Sequence, residues 1–388
     1  MGSLATATLM LPKFLKAFEK PATMVPPGNK VVVVIQFSGG NDGLNTVIPV
    51  RNDIYYKERP RLGIAKDKSL SITDEVGLNP ALEAFKGLYD EGSLGILNSV
   101  GYPNPDRSHF RSMDIWHSAS ASNEYVNTGW IGRYLDAQCN GCDKPTQAME
   151  LDDVLSLALK GEQSKGLAFK DPKKLFNTSN GKYFKDISND HQHGEETIDY
   201  LYKTMSETIS SADYIFQQSN IHPTGETYPN TELGKDLKTI ASLIFSDINT
   251  KVYYVSLGSF DTHVNQEGQQ KRLFTELNDA VKAFTADLKK NNRFNDVLMM
   301  TFSEFGRRVA QNASGGTDHG TANNMFFISG GLQQKGILNA MPDLADLNEG
   351  DLKHKVDFKN VYATVLHKWL GADDKMILGN SFDHLNFI

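Results

Sequence analysis

Lys30-Val-Val-Val-Val-Ile-Gln-Phe37, followed at once by Ser38-Gly-Gly-Asn-Asp-Gly43, is the stretch on which the fold turns. A β-branched run without polar alternation leaves no face for water, so it reads as a strand covered on both sides, as in a parallel sheet. The glycines after it supply the turn that ends it. Working outward, the same grammar recurs. Leu82, Phe85 and Leu88 stand at helical spacing within 78–89, Gly92 stops that helix, and Leu94-Gly-Ile-Leu-Asn-Ser-Val100 reads as a second strand. Ser108 is a natural N-cap for a helix reaching Ala119. A third strand over Lys251–Leu257 leads into a long helix over Gln266–Lys290. Strands follow over Asp296–Phe302 and Met325–Ser329, then a helix over Phe358–Leu370 with Gly371 just past its end. Strand alternating with helix predicts an α/β fold, a three-layer α/β/α domain with a mostly parallel central sheet.

The 388 residues are 39% hydrophobic and 22% charged, enough for a packed core and incompatible with wholesale disorder. Forty Lys and Arg against 47 Asp and Glu leave a net charge of −7, so nucleic acid is not an expected partner. No run of 18 apolar residues is present, so no transmembrane segment is expected. Residues 138–233 are polar, with a helical pattern over Thr197–Gln217, and read as an insertion packed on the main sheet. Two cysteines exclude a disulfide scaffold. Cys139-Asn-Gly-Cys142 is either a tight disulfide or half of a metal clip. His191 and His193 fit a solvated loop; His117 and His367 fall in expected helices and fit structural roles. Residues 1–28 read as the tail of an export signal and a linker, or else as a short helix presenting Phe14, Leu15 and Phe18.

Each of the first four strands runs into a cluster of small and ionisable residues: Ser38–Gly43, Asp106–Arg111, Ser259–His263 and Thr301–Arg308. A fifth, Gly316–Ala322, precedes the fifth strand. Loops at strand carboxyl ends converge in open α/β sheets, so these clusters are expected to meet. Pooled, they offer Asp42, Asp261, His263, Glu304, Asp318 and His319, a donor set for Zn²⁺, Mg²⁺, Mn²⁺ or Ca²⁺. Asp261 and His263 stand two apart and share a face of extended backbone. Taken singly, an aspartate after a strand commonly caps a helix, and a loop histidine is commonly just hydrogen-bonded. It is the convergence that argues for a metal.

Ser108 at a helix start sits where backbone N–H groups favour an anion. Facing a cation, its hydroxyl would serve as a nucleophile, with His109 beside it; alternatively it only caps the helix. Arg107, Arg111 and Arg307, with Arg308 nearby, are the expected clamps on an oxyanion substrate.

These residues resemble a functionally uncharacterised family of twin-arginine-exported bacterial proteins, sulfatase-like and placed within the alkaline-phosphatase-like superfamily. The resemblance runs through Gln36–Asn45, Arg107–Trp116, Gly129–Leu135, Phe260–His263, Thr301–Arg308, Gly315–Asn323, Val361–Leu366, Trp369–Gly371 and Leu385–Ile388. The Ser3–Thr8 segment resembles the end of the export signal. The resemblance implies an exported, periplasmic or extracellular, metal-dependent hydrolase of a phosphate or sulfate ester. A small anionic ester or a sulfated or phosphorylated glycan would be its ligand, and Ser108 its nucleophile. It implies Asp42 on the first-strand metal, Asp261 and His263 at one ion, Glu304 at the other and His319 as the last ligand. Departures stand beside it. The superfamily spaces its Asp and His four apart, against two here, and Phe305 stands where it has histidine. Neither cysteine lies in the C-x-P-x-R setting that makes formylglycine. The other reading is a non-catalytic binding or assembly protein that keeps the fold and takes a protein partner.

Overall fold

The computed structural model describes residues 29–138, 145–181 and 196–388. Residues 1–28, Cys139, Cys142, His191 and His193 lie outside them. The first strand, β1 (Val31–Phe37), is buried along its whole length, as its unbroken apolar run requires. Around it lie β2 (Leu94–Gly101), β3 (Ala148–Glu150), β4 (Leu167–Ala168), β5 (Val252–Leu257), β6 (Val297–Phe302), β7 (Asn323–Ile328), β8 (Gly336–Ile337) and β9 (Val356–Asp357). They form one sheet in the order β8-β2-β7-β6-β1-β5-β3-β4, with β9 also paired to β2. β1 is parallel to both neighbours, Val34 facing Tyr254 on one side and Met300 on the other. β7 alone runs antiparallel, to β2 and to β6. The segment expected as an insertion supplies β3 and β4, which extend the sheet in parallel from β5.

Alternate residues of each strand enter two separate cores. Val31, Val33 and Ile35 pack with Phe85 and Leu88 of α1 (Glu83–Asp90), Ile240 and Ile244 of α5 (Glu232–Phe245), and Phe274 and Leu277 of α6 (Gln266–Lys290). Val32 and Val34 pack on the opposite face. Their neighbours are Ile115 and Trp116 of α2 (His109–Ser118), Trp130 of α3 (Trp130–Gln138) and Tyr362 of α7 (Phe358–Thr364). This is the three-layer α/β/α arrangement, produced by the period-two alternation of side chains on buried strands. The long helix α4 (Glu196–Ser219) carries the pattern expected over 197–217, and its Ile215 joins the first core. The helix expected to end at Leu370 is α-helical only to Thr364; a π turn (Val365–Trp369) follows, and Gly371 takes φ +67°. A short α8 (Asp374–Leu378) comes next.

The direction of β7 explains why one polar cluster precedes its strand while four follow theirs. β1, β2, β5 and β6 all point their carboxyl ends at the same edge, and an antiparallel β7 starts from that edge. Gly316–Ala322 therefore arrives beside Ser303–Arg308, where Arg307 and His319 make an isolated bridge. Among the described residues, no helix is long and apolar enough to cross a membrane.

Candidate metal centre

The loop after β1 brings backbone against backbone. Gly39 has φ +118°, and a Cβ there would lie 2.5 Å from the Asp261 nitrogen; only glycine allows that approach. Gly39 N–H donates to Glu304 Oε1 at 2.8 Å, locking the β1 and β6 loops together. Asp261, His263 and His319 then meet. Asp261 Oδ1 lies 3.0 Å from His263 Nε2 and 3.1 Å from His319 Nε2, and the two nitrogens are 3.0 Å apart. His109 joins from the start of α2, its Nε2 3.6 Å from Asp261 Oδ2. His109, Asp261 and His319 each offer one donor atom within 4.8 Å of the others.

The histidine tautomers follow from what stands behind each ring. His319 Nδ1 lies 2.9 Å from the Arg107 carbonyl, which can only accept, so Nδ1 carries the hydrogen and Nε2 a lone pair. His109 Nδ1 faces Glu304 Oε1 at 2.9 Å, and His263 Nδ1 faces Asp318 Oδ1 at 3.4 Å. All three rings thus turn Nε2 toward one carboxylate, lone pair toward lone pair. Such a set could hold a cation, and imidazoles braced by carbonyl or carboxylate behind them are the usual support of metal ligands. Tetrahedral zinc with bonds of about 2.0–2.1 Å would place donors about 3.3 Å apart. The observed 3.0–3.1 Å triangle fits.

Arg307 supplies a fixed positive charge in the same place. Its buried guanidinium donates to the carbonyls of Gly40 (2.6 Å), Thr317 (2.9 Å), Phe260 (2.9 Å) and Gly39, and to Asp261 Oδ1 at 2.7 Å. Burial pushes the Asp261 pKa up, but the hydrogen bond from Arg307 and the nearby charges outweigh it and hold the group at about 2. The hydrogen bond to Glu304 raises His109, against the effect of its burial. Asp318 is lowered, chiefly by its bond from Asn312. Phe305 packs between two rings, its centroid 4.9 Å from His109 and 4.6 Å from His319.

The other expected residues are placed as follows. Glu304 and Asp318 stand behind His109 and His263 rather than at the triangle. Asp42 was expected among the ligands; instead Arg59 Nη1 holds its Oδ2 at 2.6 Å, both residues are buried, and Gln266 donates to the same oxygen. Arg59, the C-cap residue of the Asp53–Glu58 helix, carries no sequence signal, because its role arises only when folding brings it to Asp42. Arg107 pairs with the buried Asp351, and Arg308 reaches the same carboxylate at 3.4 Å. Arg111 closes the 121–125 loop by donating to the carbonyls of Ala121, Ser122 and Glu124, with Tyr125 stacked on it at 4.0 Å. Ser108 is exposed at the N-cap of α2, and its side chain makes no capping hydrogen bond; its N–H donates to Asp106 Oδ1 at 2.7 Å. His117 is buried between Gln36 and Tyr254, and burial lowers it to about 4.

Among solved structures, the chain is similar to the PsFucS1 sulfatase from Pseudoalteromonas sp. (12% identity, 96% of this chain and 73% of that one, TM-score 0.41). It is also similar to the phosphonate monoester hydrolase SpPMH from Silicibacter pomeroyi (7%, 91% and 77%, 0.41). A third is the lipoteichoic acid synthase LtaP from Listeria monocytogenes (10%, 82% and 70%, 0.37). The three-layer architecture itself stands on the strand pairing described above. No curated protein matches the chain. The family described as "protein of unknown function (DUF1501)" matches residues 97–384, a span that takes in Ser108, the whole Asp261–His263–His319 triangle and the three arginines Arg107, Arg111 and Arg307, and the chain belongs to that family.

Proposed function

We propose that this protein is an exported, metal-dependent hydrolase of a phosphate or sulfate ester, with Ser108 as nucleophile. The observation that carries the reading is the convergence of three Nε2 lone pairs on Asp261. One ion fits there. Arg59 holds Asp42, and Glu304 and Asp318 are turned to His109 and His263, so the residues expected to bind metal form no second cluster. Asp261, His263 and His319 would hold the ion, with His109 as a fourth donor; zinc or manganese suits that nitrogen-rich set better than magnesium or calcium. When bound, the ion would supply charge neutralisation for the ester oxygens and a lower pKa for a nearby hydroxyl.

The chain's own residues supply the rest. The Ser108 hydroxyl, free of capping duty at a helix N-terminus, attacks phosphorus or sulfur, and its proton passes to a base. The ester's alkoxide leaves and takes a proton. Water then cleaves the seryl ester, returning the hydroxyl and releasing the inorganic anion. Glu304 orients the ring of His109, the residue that follows Ser108. A sulfated or phosphorylated glycan is one such substrate class, and a periplasmic or extracellular setting follows from the Ser3–Thr8 resemblance.

Purified without chelator, the protein is expected to carry one equivalent of metal at the Asp261 centre and to turn over aryl phosphate or sulfate. Ser108→Ala should abolish turnover and keep the metal; His319→Ala should lose both. One observation favours the second reading, a binding or assembly protein: Arg107, Arg111 and Arg307 are all engaged with protein oxygens, so none stands ready to clamp an oxyanion. An equivalent of metal that is lost in His319→Ala, with no turnover across an ester panel, would decide for that reading.

A further inference from the structure

Away from the Asp261 centre, three side chains from three separate pieces of chain meet. His367 lies on the π turn, Asp374 opens α8, and His384 follows six residues after that helix ends at Leu378. Asp374 Oδ2 is 3.0 Å from His384 Nε2, and its Oδ1 is 3.5 Å from His367 Nδ1. The two imidazoles stack with centroids 4.5 Å apart and planes 19° from parallel. One donor atom from each of the three lies within 4.8 Å of the others. The carboxylate is largely buried while the imidazoles are reachable, with side-chain exposures of 11% for Asp374, 29% for His384 and 55% for His367. A second observation points the same way. The π turn, closed by Leu370 N–H to the Val365 carbonyl at 3.0 Å, inserts a residue into the helix where His367 stands, and such irregularities are frequent at functional sites.

We propose that His367, Asp374 and His384 bind a divalent transition ion of the zinc class, which fastens residues 384–388 to the end of α7. Two imidazoles beside one carboxylate select a nitrogen-preferring ion over magnesium or calcium. The 3.0 and 3.5 Å separations bracket the roughly 3.3 Å spacing of donors around tetrahedral zinc. The exposed side of His367 leaves room for water to complete the shell. Each carboxylate oxygen faces a different imidazole, so a cation satisfies both contacts at once, whereas two protonated rings stacked at 4.5 Å would repel. What the ion would fasten also has contacts of its own, Gln333 N–H donating to the Phe387 carbonyl at 2.9 Å among them. Leu385 N–H donates to Thr364 Oγ1 at 2.8 Å, Lys368 Nζ to the Leu385 carbonyl at 2.7 Å, and the Phe387 ring stacks on Phe327 at 4.0 Å.

The test uses the full chain dialysed to equilibrium against zinc at about pH 7.5, above the ordinary imidazole pKa. The double variant His367→Ala/His384→Ala is expected to hold one equivalent fewer than the parent, while His319→Ala keeps that equivalent. In the parent, amide exchange at residues 384–388 should rise about tenfold when zinc is removed; in the double variant it should be high and indifferent to zinc. Equal zinc in the parent and the double variant overturns the proposal, as does exchange that zinc does not alter. Should the double variant fail to fold, cobalt-loaded His319→Ala serves instead: visible bands from imidazole-ligated cobalt support the site, and their absence refutes it. If the Asp261 centre takes no ion, the zinc count falls from one to none rather than from two to one, so the two metal assignments fail separately.

Discussion

Arg59 gives Asp42 a cationic partner in a place closed to water: both side chains are buried, 2.6 Å apart. The guanidinium is further bound to the Val309 carbonyl at 2.8 Å and to Asn45 Oδ1 at 2.8 Å. Removing one member of such a pair strands the other's charge. Arg59→Ala is therefore expected to cost about 3–5 kcal/mol in urea unfolding, while Asp42→Asn in the same background recovers part of it, because the charge is gone. Asp42 and Asp261 look alike in sequence, each following a buried strand and each next to small residues. The neighbours that separate them, Arg59 and His319, come from 17 residues away in one case and from 58 in the other. Local pattern thus marked both aspartates as candidates and could not say which one would lie beside the distant His319. His109 was legible only as a companion of Ser108; its place among the donors depends on Glu304, 195 residues off.

At the scale of elements, glycine positions separate those that fit a side chain from those that do not. At Gly39 an added methyl meets the backbone of Phe260 and Asp261 in a left-handed conformation, so Gly39→Ala should destabilise the fold by roughly 1–3 kcal/mol and reduce metal retention. Gly87 lies inside α1 with nothing within 4 Å of an added Cβ. Gly87→Ala should stabilise by about 0.5–1 kcal/mol through helix propensity. Thermal unfolding of both variants reads the contrast. Strand positions were readable because unbroken apolar runs such as 31–35 tolerate no other placement. The antiparallel sense of β7 was not, because a buried run such as Met325–Ile328 is apolar whichever way it points. The break in the last helix escaped notice for a related reason: a π turn keeps apolar residues facing the core, as Val365, Leu366 and Trp369 do here.

Over the whole molecule, two buried acids set a pH dependence. Burial raises Glu150 from 4.5 to about 7, and burial together with Glu232 raises Asp236 from 3.8 to about 7. Between about pH 4 and pH 7 the folded protein keeps protons that the unfolded chain has released, so unfolding free energy declines as pH rises through that window and levels off above it. Glu150→Gln should unfold later than the parent at pH 8, by up to roughly 3 kcal/mol at 1.36 kcal/mol per pKa unit. The advantage should vanish below about pH 4, where the parent's carboxyl is neutral too. Denaturant titrations at the two pH values test the sign. Residues 303–322 leave the sheet through β6 and return through β7, and this single excursion carries Glu304, Arg307, Asp318 and His319. Half of the centre is thus one cassette, clipped to adjacent strands at both ends. Exchanging it between relatives would re-equip the protein's chemistry in one step while the sheet beneath stayed as it was.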